Sequence, residues 1–115
     1  MTTEPRVVYQ VRDFELARDF YRRQLGFEET VVDFDESWST MRRGEMQIAI
    51  TKGEPDADGG VAMVDVDDIK AEADRLRADG VSVGTVIELA GQMRIVDIFD
   101  PDGNRIQLSQ PLDGE

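Results

Sequence analysis

Hydrophobic and polar residues alternate at the start of the chain and then change to helical spacing. From Arg6 to Val11 an apolar side chain occupies every second position, which predicts a β-strand with one buried face. Asp13 is a good helix N-cap, and Gly26 is a typical helix end. The predicted apolar stripe of the helix between them comprises Leu16, Ala17, Phe20, Tyr21 and Leu25.

Three shorter strands are predicted next, over residues 28–34, 37–43 and 46–51. Gly44 and Glu45 form the predicted turn between the last two of them. Residues 52–60 are rich in Gly, Pro and Asp, a composition typical of a linker.

After this linker the same pattern begins again. A strand over 61–66 is followed by a helix that Asp67 or Asp68 caps, with Ile69, Ala73 and Leu76 as its apolar positions. The remaining predicted elements are strands at 82–88 and 92–99, a turn at 100–104 and a strand at 105–109. The repeat predicts one α+β domain, residues 1–115, made of two βαβββ modules at 6–51 and 61–110.

Composition excludes several classes of function. The 115 residues include no Cys and no His, so neither a Ser-His nor a Cys-His nucleophile can form. The net charge of -12 argues against nucleic acid as a partner, and we interpret it as a solvated acidic surface rather than as a site for a cationic ligand. No apolar stretch is long enough to cross a membrane and the N-terminus lacks signal-peptide features, which predicts a cytoplasmic protein.

The run from Asp100 to Leu108 resembles the closing hairpin of the vicinal oxygen chelate superfamily, which includes glyoxalase I, extradiol dioxygenases and the fosfomycin and bleomycin resistance proteins. Further matching residues are Val11, Asp13, Phe14, Ala17, Phe20, Tyr21, Leu25, Gly26, Phe27, Val66, Asp67, Asp68 and Ile69. The resemblance covers residues 6–110 and implies the glyoxalase/bleomycin-resistance fold. In that fold the modules form a cup-shaped mixed sheet, and a homodimer is expected.

The resemblance also implies where a divalent metal would bind, on the first and last strands of each module. The matching positions are Arg6, Val61, Gln107 and either Gln47 or Ala49. A guanidinium offers no lone pair, valine has no donor atom, and an amide oxygen is a weaker ligand than a carboxylate. We therefore expect no metal and no other cofactor.

Strand alternation predicts which residues face the cup, because residues two apart share a face. The residues expected to face the helices are Val7, Tyr9, Val11, Ile48, Ile50, Ala62, Val64, Val66, Ile106 and Leu108. Those expected to face the cup are Arg6, Val8, Gln10, Gln47, Ala49, Thr51, Val61, Met63, Asp65, Arg105, Gln107 and Ser109.

Arg6 is a candidate anchor for a carboxylate or phosphate, or else the partner of Asp65 or Asp97 in an ion pair. Arg94 is expected to join this site or to lie at its rim. Trp38 offers a surface for a planar ligand, although aromatic residues on short strands are more often part of the core.

Gln10 and Gln107 offer hydrogen bonds to a ligand amide or hydroxyl, or to each other. The complete set of candidate ligand-binding residues is Arg6, Gln10, Trp38, Gln47, Met63, Asp65, Arg94 and Gln107.

The leading hypothesis is a metal-independent protein that binds and sequesters a small organic molecule in the cup. The first alternative is a lyase or isomerase of the glyoxalase type that acts on a small carbonyl or carboxylate substrate through Arg6 and a carboxylate. The second is a structural or regulatory dimer whose own side chains fill the cup. The sequence assigns no catalytic residue.

Overall fold

A computed structural model describes residues 7–55 and 60–112, which form two mixed sheets. The first sheet has the order β1-β4-β3-β2, with β1 parallel to β4 and the other pairs antiparallel. Its strands are β1 (Val7–Val11), β2 (Glu28–Asp33), β3 (Trp38–Arg43) and β4 (Met46–Lys52).

The second sheet repeats this arrangement. Its order is β5-β9-β8-β6, with β7 also paired to β8, and β5 runs parallel to β9. Its strands are β5 (Ala62–Asp65), β6 (Ser82–Val83), β7 (Ile87–Leu89), β8 (Met93–Phe99) and β9 (Arg105–Pro111). The two sheets confirm the predicted α+β architecture.

Each module contains one helix, and an aspartate caps each helix at its N-terminus. Asp13 accepts a hydrogen bond from the Leu16 amide at the start of α1 (Phe14–Asp19), and Asp68 caps α2 (Ile69–Ala78) in the same way. Of the two caps considered for α2, Asp68 is therefore the one used. No helix among the described residues is long and apolar enough to cross a membrane.

The first helix differs from the prediction in its first turn and in the type of its second half. Leu16 is 52% exposed, so its assignment to the buried stripe was wrong; Phe14 is buried instead. After Asp19 the chain continues as a π-helical segment, Phe20–Gln24, in which the Leu25 amide donates to the Phe20 carbonyl. The wider turn lets successive aromatic residues at 20 and 21 both enter the core.

The predicted strand over 82–88 is not continuous. It is divided into β6 and β7, because the Gly84 amide donates to the Asp97 carbonyl and the chain then leaves the ladder until Ile87. Propensity alone does not show such a break, because it depends on how closely this segment approaches β8.

One hydrophobic core lies between the sheets and the helices. All ten residues expected to face the helices are buried, which confirms the predicted alternation; they are Val7, Tyr9, Val11, Ile48, Ile50, Ala62, Val64, Val66, Ile106 and Leu108. We call this side of each sheet the core face and the opposite side the open face.

Polar contacts join the two modules. The Tyr9 hydroxyl donates to the Arg105 carbonyl at 2.5 Å and accepts from the Ala62 amide at 2.8 Å. The Asn104 side-chain amide donates to the Gln10 carbonyl at 2.9 Å. These contacts fix β1 of the first module against the strands that carry the open face of the second.

Candidate functional site

The open face of the second sheet contains two rows of paired residues. Met63 on β5 pairs with Gln107 on β9, which pairs with Asp97 on β8. In the adjacent row Asp65 pairs with Ser109, which pairs with Ile95. Three of the predicted ligand-binding residues, Met63, Asp65 and Gln107, are therefore brought together.

Asp97 is the acceptor at the centre of this face. Its Oδ1 accepts from Gln107 Nε2 at 3.2 Å and its Oδ2 lies 3.3 Å from Arg105 Nη1. Gln107 thus bonds to Asp97 and not to Gln10, which lies on the other sheet. Of the two alternatives for these glutamines, the bond to each other was therefore wrong. Asp97 was predicted only as a possible ion-pair partner of Arg6. Its contacts with Gln107 and Arg105 were not predicted, because only the register of β8 against β9 reveals them.

Asp65 lies in the adjacent row of the same face, away from Asp97. Its Oδ1 accepts from the Ser109 hydroxyl at 2.8 Å, and Ser109 is almost fully buried beneath its neighbours. Because β9 lies between β5 and β8 and the two residues are in adjacent rows, Asp65 and Asp97 are about 12 Å apart. They are too distant to share a proton directly as an acid and base pair.

The open face of the first sheet carries Gln10, Thr51 and Trp38 in one row across β1, β4 and β3. Trp38 is half-buried and its Nε1 donates to the Thr40 hydroxyl at 3.0 Å. Gln47 lies on the same face, beside Arg42. These predicted residues share a face, but they belong to a different sheet from Gln107.

Of the two predicted arginines, Arg94 does not join this arrangement. Arg94 shares a face of β8 with the buried Val96 and Ile98, so it lies on the side opposite Asp97, where its Nε is 3.2 Å from Glu88. Placing Arg94 in or beside the cup was therefore wrong. Arg6 lies outside the described residues.

A cavity of about 550 Å³ lies where the modules meet. Met63 and Asp65 line it together with the β3–β4 turn, in which Arg43 donates to Glu72 at 2.8 Å. The turn was predicted only as a connection, because nothing local in the sequence shows that it approaches β5.

The residues at the implied metal positions do not fit a metal. In the first module Val8 lies five positions before the helix N-cap and pairs with Ala49 on the last strand. In the second module Met63 lies five positions before the N-cap and pairs with Gln107 on the last strand. The register therefore favours Ala49 over Gln47 as the equivalent of Gln107, and neither Ala49 nor Val61 has a side-chain donor atom. Within residues 7–55 and 60–112 no three acidic side chains form a group that could hold a metal ion.

The turn after β8 positions the strand that carries Gln107. Its Asp100 carboxylate is buried and accepts from the Tyr21 hydroxyl at 2.8 Å. Burial raises the pKa of Tyr21 well above its ordinary value, and the nearby Asp100 charge raises it further. Burial likewise raises the pKa of Tyr9 to about 12, so both phenols stay protonated at neutral pH.

Solved structures of other proteins have the same fold. An antibiotic binding protein, TnmS3, from Streptomyces sp. CB03234 is 24% identical, with a TM-score of 0.77 over 96% of this chain and 97% of that one. A superfamily member from Sphaerobacter thermophilus is 23% identical, with a TM-score of 0.79 over 96% and 98%. The fosfomycin resistance protein FosX from Listeria monocytogenes is 15% identical, with a TM-score of 0.76 over 96% and 93%.

A search of curated protein sequences found no match. A family model does match residues 5–108, which is most of the chain, and it describes the glyoxalase, bleomycin resistance protein and dioxygenase superfamily. This chain belongs to that superfamily.

Proposed function

We propose that this protein binds a small organic molecule on the open face of the second sheet without using a metal. The observation that carries the proposal is the set of side chains at the implied metal positions. Ala49 and Val61 offer no ligand atom, and Gln107 offers only a neutral amide oxygen, a weaker ligand than a carboxylate. A Lewis-acid reaction of the usual kind requires three or four protein ligands.

The chemistry of the open face supports binding. Met63 is 48% exposed and lies beside Gln107 and Asp65, so an uncovered apolar side chain adjoins hydrogen-bonding groups. Small-molecule sites typically combine apolar walls with a few polar groups that orient the ligand. Arg6 remains a proposed contributor, as an anchor for an anionic group.

The relatives make binding a reasonable role for this fold. TnmS3 is an antibiotic binding protein and FosX is a fosfomycin resistance protein. By analogy, the proposal for this chain is sequestration of an organic molecule by a cytoplasmic homodimer.

Nile red, a neutral dye whose emission responds to apolar surroundings, tests the proposal. We expect saturable binding that Met63→Glu weakens about tenfold, since a carboxylate would replace an apolar wall of the site. Leu16→Glu is the matched control, because Leu16 is similarly exposed, at 52%, but lies on α1.

An equal loss of Nile red affinity in both variants, or dye binding that does not saturate, would contradict the proposal. Turnover of a small carbonyl substrate that survives chelation would instead support the lyase or isomerase alternative.

A further inference from the structure

A small apolar notch opens on the second sheet where β6 and β7 separate. Its volume is about 180 Å³. The residues that line it come from the break and from β8: Gly84, Thr85, Ile87, Ile95, Val96, Asp97 and Phe99. Ile95, Asp97 and Phe99 alternate with the buried Val96 and Ile98, so the notch belongs to the open face.

Close packing at Gly84 creates the notch. The Gly84 amide donates to the Asp97 carbonyl at 2.8 Å, and a Cβ added at Gly84 would lie 3.3 Å from that oxygen. The glycine thereby lets the chain approach β8 before β7 begins. Ile87 then pairs with Ile95 and remains 50% exposed at the side of the notch.

The size and walls of the notch define the group that fits. A buried apolar cavity of about 150 Å³ accommodates benzene, so 180 Å³ suits one six-membered ring or a similarly compact apolar group. Asp97 also lines the notch, and its carboxylate accepts from Gln107 and Arg105 on β9. Arg105 partly balances the charge of Asp97, but the remaining lone pairs of the carboxylate can still accept from a ligand donor, and a carboxylate ligand supplies no such donor.

We propose that the notch binds an aromatic ring, or an apolar group of similar size, that carries a hydrogen-bond donor directed to Asp97. This inference rests on the proposed function, because the notch is a subsite of the same open face. In this proposal Ile87, Ile95 and Phe99 contact the apolar group, and Asp97 accepts a hydrogen bond from the ligand donor.

Benzylamine and phenylacetate form the test, because both carry a phenyl ring but their charges are opposite. We expect benzylamine to shift the Ile87 and Ile95 methyl resonances saturably, with a Kd in the millimolar range for so small a ligand. Phenylacetate should bind about fivefold more weakly, as expected for one partly exposed charge contact. Asp97→Asn should remove this preference.

Two variants on β7 locate the site. Ile87→Trp should fill the notch and reduce benzylamine affinity at least about fivefold, whereas Leu89→Trp should leave it unchanged. Leu89 is the matched control because it lies on the same edge strand and face and is 41% exposed. Circular dichroism checks that both variants remain folded, and the comparison of the two ligands does not depend on either variant.

Equal affinity for the two ligands, or equal loss in the two tryptophan variants, would overturn the inference. Benzylamine shifts at the Met63 methyl without shifts at Ile95 would overturn it while leaving the proposed function intact. Absence of saturable binding by both benzylamine and Nile red would overturn both proposals.

Discussion

Asp100 accepts four hydrogen bonds in the turn that joins β8 to β9. The donors are the amides of Asp102 and Asn104, the Asn104 side chain and the Tyr21 hydroxyl, all at 2.8–2.9 Å. Pro101 and Gly103 supply the remaining turn geometry, with Gly103 at φ +85°. A single buried carboxylate thus fixes both the hairpin and its contact with the first module.

Replacing Asp100 should destabilise the fold strongly. We expect Asp100→Ala to lower the free energy of unfolding by about 3 kcal/mol, because several buried donors lose their acceptor. Asp35→Ala, in the exposed β2–β3 turn, should change it by less than about 0.5 kcal/mol. Urea unfolding of both variants measures these changes. Similar losses of unfolding free energy in the two variants would contradict the role given to Asp100.

The two tyrosines should resist ionisation in the folded state. Both Tyr9 and Tyr21 have raised pKa values, to about 12 in the case of Tyr9. Tyrosinate absorbance should therefore stay low as the pH passes 10, the ordinary value, and rise only near 12 or on unfolding.

The pH dependence of stability follows from the same shift. Because the folded-state pKa of Tyr9 is raised, its contribution is complete below pH 10 and is lost as the pH rises toward about 12. Ionisation near pH 10 in protein that circular dichroism shows to be folded would contradict the burial of these phenols.

At the scale of elements, an ion pair joins α1 to the first sheet. Arg18 on α1 contacts Glu29 on β2 at 2.6 and 2.8 Å, and the Ser39 hydroxyl on β3 donates to the same carboxylate at 2.5 Å. Both charged side chains are nearly buried, at 12% and 13% exposure. The Arg18 hydrogen bonds, together with the one from Ser39, lower the pKa of Glu29.

Glu29→Gln should lower the free energy of unfolding by about 2 kcal/mol at pH 7, since charged hydrogen bonds inside the fold are lost. The pKa of Glu29 is lowered, so its stabilising effect is present above the ordinary value of 4.5 and is lost as the pH falls through the folded-state value. The difference between the variant and the wild type should therefore narrow in acid.

Glu28→Gln supplies the control for this prediction. Glu28 is the neighbouring residue on β2, and its contact with Arg42 at 2.9 Å is exposed to solvent. Exposed pairs contribute little, so thermal or urea unfolding should show a change below about 0.5 kcal/mol. A difference in the free energy of unfolding between the wild type and Glu29→Gln that stays constant down to pH 3 would contradict the account.

The alternation of apolar residues was enough to place the core faces and the strands other than the one over 82–88. The capping preference of aspartate placed the start of α1 and narrowed the cap of α2 to Asp67 or Asp68. Three local features could not be predicted: the π-helical turn, the break at Gly84 and the bulge between Glu29 and Val31 in β2. Each depends on contacts with another element. Local pattern therefore determined the elements, and packing determined their irregularities.

Residues of the candidate site were predicted only where the alternation of faces along a single strand was sufficient to place them. That reasoning placed Met63, Asp65 and Gln107 correctly on one face. It did not identify Arg94 as a residue of the opposite face, because the start of β8 was uncertain. It also did not show that Ala49, although on the open face, is fully buried by larger neighbours.

At the scale of the whole molecule, a net charge of -12 implies mutual repulsion among surface carboxylates. About 1 M NaCl shortens the Debye length to about 3 Å and screens that repulsion. We expect the melting temperature to rise with NaCl, and to rise equally with KCl if screening is the cause. A fall in melting temperature would show that surface ion pairs outweigh the repulsion.

The central claim is that this member of the superfamily binds an organic molecule without a metal. Native mass spectrometry of gently purified, tag-free protein tests it most directly, because one spectrum reports subunit number, metal and retained ligand. The account predicts a homodimer that carries no divalent metal and retains an organic adduct, which denaturation releases. A spectrum with stoichiometric divalent metal and no organic adduct would contradict it.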